Sequence, residues 1–245
     1  MAFLDIQSLD KRFGGVKAAD SVTLSLKQGS LTALVGPNGC GKSTLFNLIT
    51  GALKPDNGHI RFDDEEITAL PSHEIARRGI GRKFQVPAVF PDLTVFENLT
   101  VPTLQKGRFF SRPGNSEKRM DILKTIRLRE KQNELASTLS HGEKQWLEMG
   151  MILAQSPSLI LLDEPTAGMT AAETAETAHL IRTINKGEGV TLLVIEHDIG
   201  FIEQLACPVN VMARGKILKS GTFQSIRNDL EVQELYFGRP EGPHA

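Results

Sequence analysis

The segment Gly36-Pro37-Asn38-Gly39-Cys40-Gly41-Lys42-Ser43-Thr44 limits what the chain can fold into more than any other feature. It matches G-x-x-x-x-G-K-[ST]. Glycines at these positions let backbone N–H groups turn inward and approach phosphate oxygens closely. Leu31–Val35 before it is apolar and reads as a buried strand ending at Gly36. Lys42–Ile49 after it predicts a helix, stopped by Gly51 and Pro55. Such a helix points its positive end at the phosphates. Lys42 can then reach the β- and γ-phosphates, and the Ser43 hydroxyl can ligate Mg²⁺. The dinucleotide fingerprint G-x-G-x-x-G is not present at this turn.

Further short apolar runs, Ser158–Leu162 and Val190–Ile195, alternate with helical stretches. They predict parallel strands covered on both faces, in an α/β fold. Val209–Ala213 and Lys216–Ser220 flank Arg214-Gly215 and read as a hairpin. Between about residues 87 and 157 the pattern becomes helical. Ser116–Leu128 carries Met120, Leu123, Ile126 and Arg127 at helical spacing, with Asn115 or Ser116 as cap. Gly142–Gln155 puts Trp146, Met149, Ile152 and Leu153 on one side before Pro157. The expectation is one domain over 1–245, with a helical lobe of roughly 87–157 inserted into the α/β core.

Leu159–Leu162 runs into Asp163-Glu164. A carboxylate after an apolar strand sits at the sheet edge where open α/β folds bind ligands. Asp163 can hold Mg²⁺ there, and Glu164 can polarise an attacking water. His197 follows the strand Val190–Glu196, and Gln85 lies in Arg82–Pro87; by themselves both read as ordinary surface residues. Cys40 reads as a small residue filling a slot in the phosphate loop, with a thiol that the helix N-terminus can acidify.

The 245 residues are 40% hydrophobic and 23% charged, with a net charge of −1, which suits an ordinary globular α/β domain. Nothing resembles a phosphate-backbone footprint, so no nucleic-acid partner is expected. Lys118, Arg119, Lys124, Arg127 and Arg129 are interleaved with Glu117, Asp121 and Glu130, and read as a solvated helix face. Two cysteines support neither a disulfide framework nor a zinc site. The N-terminus meets Asp5 at once and does not read as a signal peptide. No apolar run is long enough to span a bilayer, so membrane work would need another chain as anchor.

Together these motifs resemble the ABC ATPase family over nearly the whole chain. Leu139-Ser140-His141-Gly142-Glu143 is similar to that family's L-S-G-G-Q signature, with His141 for the second glycine and Glu143 for glutamine. The resemblance implies that Gln85 is the Q-loop glutamine and a Mg²⁺ contact, His197 the switch histidine, and Phe13 the aromatic that stacks on adenine. Ala167-Gly168-Met169-Thr170 takes the D-loop place, with Thr170 where Asp or Asn is common. It further implies a RecA-like P-loop core with an antiparallel β portion and a helical lobe. ATP and Mg²⁺ are the expected cofactors. Each chain's Ser140–Glu143 segment would complete the ATP site of a second ATPase subunit. A paralogue is favoured over a second copy, because His141, Glu143 and Thr170 depart from the family pattern.

Ile80–Phe90, Leu139–Glu148, Ala167–Thr170 and the tail Glu231–Arg239 look like the urea-type members of the branched-chain (hydrophobic) amino acid importers. That resemblance implies transmembrane permease subunits, a periplasmic solute-binding protein, and a peripheral place on the cytoplasmic face of the inner membrane. The implied cargo is urea or a short amide, with branched-chain amino acids as the other choice. Two alternatives have a poorer fit. A soluble ABC protein of translation or repair would carry two motif sets or a long coiled coil. A P-loop kinase or GTPase would need neither Ser140–Glu143 nor His197, and no N-K-x-D occurs.

Overall fold

The structure, a computed structural model, describes residues 2–83, 88–104 and 114–237. The chain opens with a long hairpin, β1 (Leu4–Phe13) and β2 (Val16–Leu26), then β3 (Leu31–Val35) and α1 (Lys42–Ile49). Next come β4 (Asn57–Phe62), β5 (Glu65–Glu66), α2 (Ser72–Arg77) and β6 (Ile80–Lys83). The described residues between β6 and β7 (Leu159–Asp163) form α3 (Val95–Leu104), α4 (Gly114–Thr125), two short 3₁₀ turns and α5 (His141–Ala154). After β7 come α6 (Ala171–Glu188), β8 (Thr191–Ile195), α7 (Ile199–Leu205), β9 (Val209–Ala213), β10 (Lys216–Gly221), α8 (Phe223–Arg227) and α9 (Leu230–Phe237).

Two sheets result. The first is antiparallel in the order β2-β1-β4-β5. The second has the order β10-β9-β3-β8-β7-β6 and is parallel except for β10. Every residue of β3, β7, β8 and β9 is buried, as strands covered on both faces must be. Alternate residues of these strands feed different cores. Ala33, Ile160, Leu162, Leu192 and Val194 pack with the helices α3 to α7. Leu34, Leu161, Leu193 and Ile195 pack with α1 and the antiparallel sheet. This two-layer burial is the expected P-loop α/β fold with its antiparallel β portion. The parallel order matters for chemistry: it brings the C-terminal ends of β3, β8, β7 and β6 to one edge.

Four local expectations are corrected. α4 is described from Gly114, so Asn115 and Ser116 lie within its described span rather than ahead of it. It ends at Thr125 rather than Leu128, because Arg127 takes φ 59°. Leu128 N–H donates to Leu123 C=O at 2.9 Å and Arg127 N–H to Lys124 C=O at 3.1 Å, which closes the helix. Arg119 is not on a solvated face: it is buried, with its guanidinium 5.1 Å from the Phe96 ring centre. α5 is buried on more than one side, with Leu147, Gln145 and Glu148 inside as well as Met149 and Ile152. Its buried Glu148 lies 3.7 Å from Lys83, a lysine with no exposed surface at the end of β6.

Candidate nucleotide site

The loop between β3 and α1 is shaped by contacts that exclude side chains. A Cβ on Gly36 would stand 2.1 Å from the Met212 carbonyl oxygen, and one on Gly41 2.1 Å from that of Ala18. Gly41 caps α1 at φ 113°, a backbone that L-residues rarely adopt. The turn of the β9–β10 hairpin locks the loop from outside, with Gly215 N–H donating to Cys40 C=O at 2.9 Å. Lys42 is buried, and its ammonium donates to the carbonyls of Gly36 at 2.6 Å and Pro37 at 3.0 Å. Asn38, Gly39 and Ser43 are exposed and Thr44 is half-buried. Cys40 is buried, with its Sγ 3.9 Å from Lys42 Nζ. Cys40 fills a buried slot as read, and burial pushes its thiol up against the opposing pull of Lys42, so the helix end does not acidify it. Phe13, at the exposed tip of the β1–β2 hairpin, leaves about half its surface open.

The ends of β7 and β8 supply the acids. Asp163 pairs in register with Ile195, and Glu164 N–H donates to Ile195 C=O at 3.0 Å. Asp163 is buried, with Oδ2 3.2 Å from the Arg82 guanidinium. Its Oδ1 has no hydrogen-bond partner among the described residues. Burial raises the Asp163 pKa, against Arg82. An acceptor-only oxygen left unpaired inside a protein is costly, and a hydrated divalent cation would satisfy it. The Asp163 carboxylate and the Ser43 hydroxyl are therefore suitable oxygen donors for Mg²⁺, which commonly takes one or two protein ligands beside phosphates and water.

Glu164 takes φ 46°, a left-handed turn that swings its side chain off the strand line. His197 Nδ1 lies 3.7 Å from Glu164 Oε1 and 3.8 Å from Glu196 Oε2, and the His197 side chain is 60% exposed. Glu196 was not foreseen as part of the site. It is 1% exposed, and its carboxylate accepts from Thr166 Oγ1 at 2.6 Å, Thr166 N–H at 3.2 Å and His197 N–H at 3.0 Å. The only signal for it in the sequence was an acid directly after an apolar strand. The position of Thr166 had no signal at all. Gln85 lies outside the described residues.

Ser140–Glu143 form a second grouping, against the 167–170 loop. Ser140 caps α5: its Oγ accepts from Glu143 N–H at 3.2 Å while Glu143 Oε2 accepts from Ser140 N–H at 2.9 Å. Glutamate serves this box as well as glutamine does, and it adds a 2.8 Å pair with Lys131. Burial of Glu143 alone would raise its pKa, but Lys131 and the Ser140 N–H prevail and lower it. Thr170 caps α6 in the same way through Glu173. Glu173 Oε1 also accepts from Ser140 Oγ at 3.3 Å, and a Cβ on Gly142 would meet that oxygen at 2.6 Å. His141 Nε2 lies 3.0 Å from Ala167 C=O.

Residues 19–167 match the ABC transporter family, described as "ABC transporter". The chain belongs to the ABC transporter ATPase family. The ABC assignment extends beyond that segment. The chain is 35% identical to the high-affinity branched-chain amino acid transport ATP-binding protein BraF of Pseudomonas aeruginosa, covering 96% of this chain and 97% of that protein. It is 36% identical to the corresponding protein LivG of Escherichia coli K12, with the same coverage. Its fold matches the crystal structure of the ADP conformation of MJ1267, an ATP-binding cassette of an ABC transporter. The TM-score is 0.88 at 31% identity over 97% of this chain and 99% of that one. The cassette MJ0796, solved as a post-hydrolysis dimer with ADP and Pi, matches at TM-score 0.77 and 27% identity over 90% and 98%. This chain is thus an ABC ATPase, and no helix among its described residues is long and apolar enough to cross a membrane.

Proposed function

We propose that this ABC ATPase powers import of branched-chain amino acids through separate permease subunits. The observation that carries the cargo class is the 35–36% identity to BraF and LivG across nearly the full length of both chains. The permease, a second ATPase subunit and an external solute-binding protein belong to the same proposal, as does a place on the inner face of the membrane.

For hydrolysis, the supporting observation is that one sheet edge carries Lys42, Asp163, Glu164 and His197. In this reading Phe13 stacks on adenine and residues 36–44 wrap the phosphates with their N–H groups. Lys42 leaves its loop carbonyls for the β- and γ-phosphates. Bound Mg²⁺ would neutralise developing phosphate charge, held by Ser43 and Asp163 and approached by Gln85. Glu164 takes a proton from the attacking water, and His197 contacts the γ-phosphate region while its backbone rests on Glu196. Ser140–Glu143 face the ATP of the other ATPase subunit. The helices between β6 and β7, taken as an inserted lobe, meet the permease.

Urea or a short amide is a second reading, supported by the likeness of Leu139–Glu148 and Ala167–Thr170 to urea-type members of the group. The test is ATP turnover by the transporter reconstituted in membranes with its binding protein. Leucine is expected to stimulate it, and urea and acetamide to leave it unchanged. Glu164→Gln should keep ATP binding and lower turnover about 10²–10⁴-fold, the usual worth of a general base. Stimulation by urea alone would replace the cargo class. Full turnover by Glu164→Gln would place the base elsewhere.

A further inference from the structure

The signature segment and the D-loop segment are tied together within one chain by side-chain hydrogen bonds. A hydrogen-bond path runs between them. It begins at His197, whose N–H is held by Glu196. Glu196 holds Thr166 through both its N–H and its hydroxyl. Thr166 sits in the tight turn that follows Glu164, with Ala167 N–H donating to Glu164 C=O at 3.2 Å. From that turn, Ala167 C=O meets His141 Nε2 at 3.0 Å. A second strand of the tie starts at Thr170, whose N–H and hydroxyl donate to Glu173 Oε2 at 2.9 Å each. The other oxygen of Glu173 accepts from Ser140 Oγ. Gly142 lacks the Cβ that would displace this carboxylate.

We propose that His141 and Glu173 are positioning residues that transmit the state of this chain's own ATP site to its signature segment. The proposal rests on the ATP-site roles given above. One end of the tie is the Glu164–His197 edge, which answers to this chain's nucleotide. The other is Ser140–Glu143, which serves the partner's nucleotide. Movement of the 164–167 turn is therefore passed to Ser140 and His141 as hydrogen-bond geometry, giving the two ATP sites a coupling free energy. Glycine in place of His141 could not make the Ala167 contact, so this link depends on the residue that departs from the usual signature. The two helices are clasped independently: Trp146 Nε1 donates to Thr177 Oγ1 at 2.8 Å. Loss of the tie should accordingly leave α5 and α6 packed.

The test measures transmission directly. Amide hydrogen exchange of residues 139–143 is followed in the full chain with and without Mg·ATP, at a concentration where sedimentation shows a monomer. In a monomer no partner nucleotide touches the signature. Wild type should show exchange slowed about two- to thirtyfold by ATP, the span of couplings carried by such networks. His141→Phe keeps a ring but removes the hydrogen bond, and Glu173→Ala cuts the second strand. The double variant, compared with wild type at saturating Mg·ATP, should lose most of that slowing. Glu173→Gln, which can still accept at Thr170, should retain most of it. Thermal melts identify any variant that fails to fold, and the wild-type comparison then stands alone. Tight ATP binding with no change at 139–143 in wild type would overturn the tie, as would undiminished slowing in a folded double variant. Failure to bind ATP at all would instead overturn the assignment of the phosphate loop.

Discussion

Lys42 shows how one residue can be both legible and surprising. The loop pattern marked it as a phosphate ligand, but only the structure shows its ammonium hydrogen-bonded to the carbonyls of Gly36 and Pro37. Those bonds keep a buried charge satisfied, and ATP has to offer a better partner to draw it away. In the proposed role Lys42 supplies a point charge to the β/γ-phosphates, so Lys42→Ala should abolish tight Mg·ATP binding; unchanged affinity in a nucleotide titration would sink the loop's assignment. Cys40 was legible in place but not in chemistry. The helix end and Lys42 favour the thiolate, yet burial outweighs them. Alkylation near neutral pH should therefore be slower than for a free thiol, and Mg·ATP should slow it further. Once formed, the adduct should block nucleotide binding by bulk. Cys207, whose burial raises its pKa to about 11, should stay unmodified, so peptide mass spectrometry separates the two. Glu196 and Thr166 were missed because a sequence does not show which carboxylate after a strand turns inward.

At the scale of elements, the runs that became β3, β7, β8 and β9 were readable because burial on both faces leaves continuous apolar stretches. The path of α4 was not. Its end is set by Arg127 in a left-handed turn, a choice that no apolar spacing reveals. The caps of α5 and α6 did have a sequence signal, S-x-x-E at 140–143 and T-x-x-E at 170–173, which the family likeness overshadowed. Glu143 makes the first cap sensitive to acid. Its folded-state pKa is lower than the unfolded one, so its contribution is fully present above the ordinary glutamate range and is lost as pH falls through the folded value. Glu143→Gln keeps both capping bonds but loses the partly exposed Lys131 pair. Its melting temperature should differ from wild type by the equivalent of less than about 1 kcal/mol at neutral pH, with a flatter decline toward acid. An equally steep decline in the variant would assign the sensitivity to other carboxylates.

At the scale of the whole molecule, the proposed function needs a second ATPase subunit to complete the ATP site. The isolated chain should therefore hydrolyse ATP slowly and sediment mostly as a monomer without nucleotide, with full turnover only in the assembled transporter. Turnover by the isolated chain at the assembled rate would refute coupling as proposed here. Strand order has a consequence of another kind, for synthesis on the ribosome. The strand leading into the phosphate loop, β3, emerges well before its neighbours β8 and β9. Neither exists until residue 191 and beyond have been made. The Met212 carbonyl that closes against Gly36 comes later still. At about 5–20 residues per second, β3 waits roughly ten to thirty seconds for a partner. Through that interval an apolar strand stands with both edges unpaired. The nascent chain must therefore be kept from pairing with other chains before nucleotide can help to hold it.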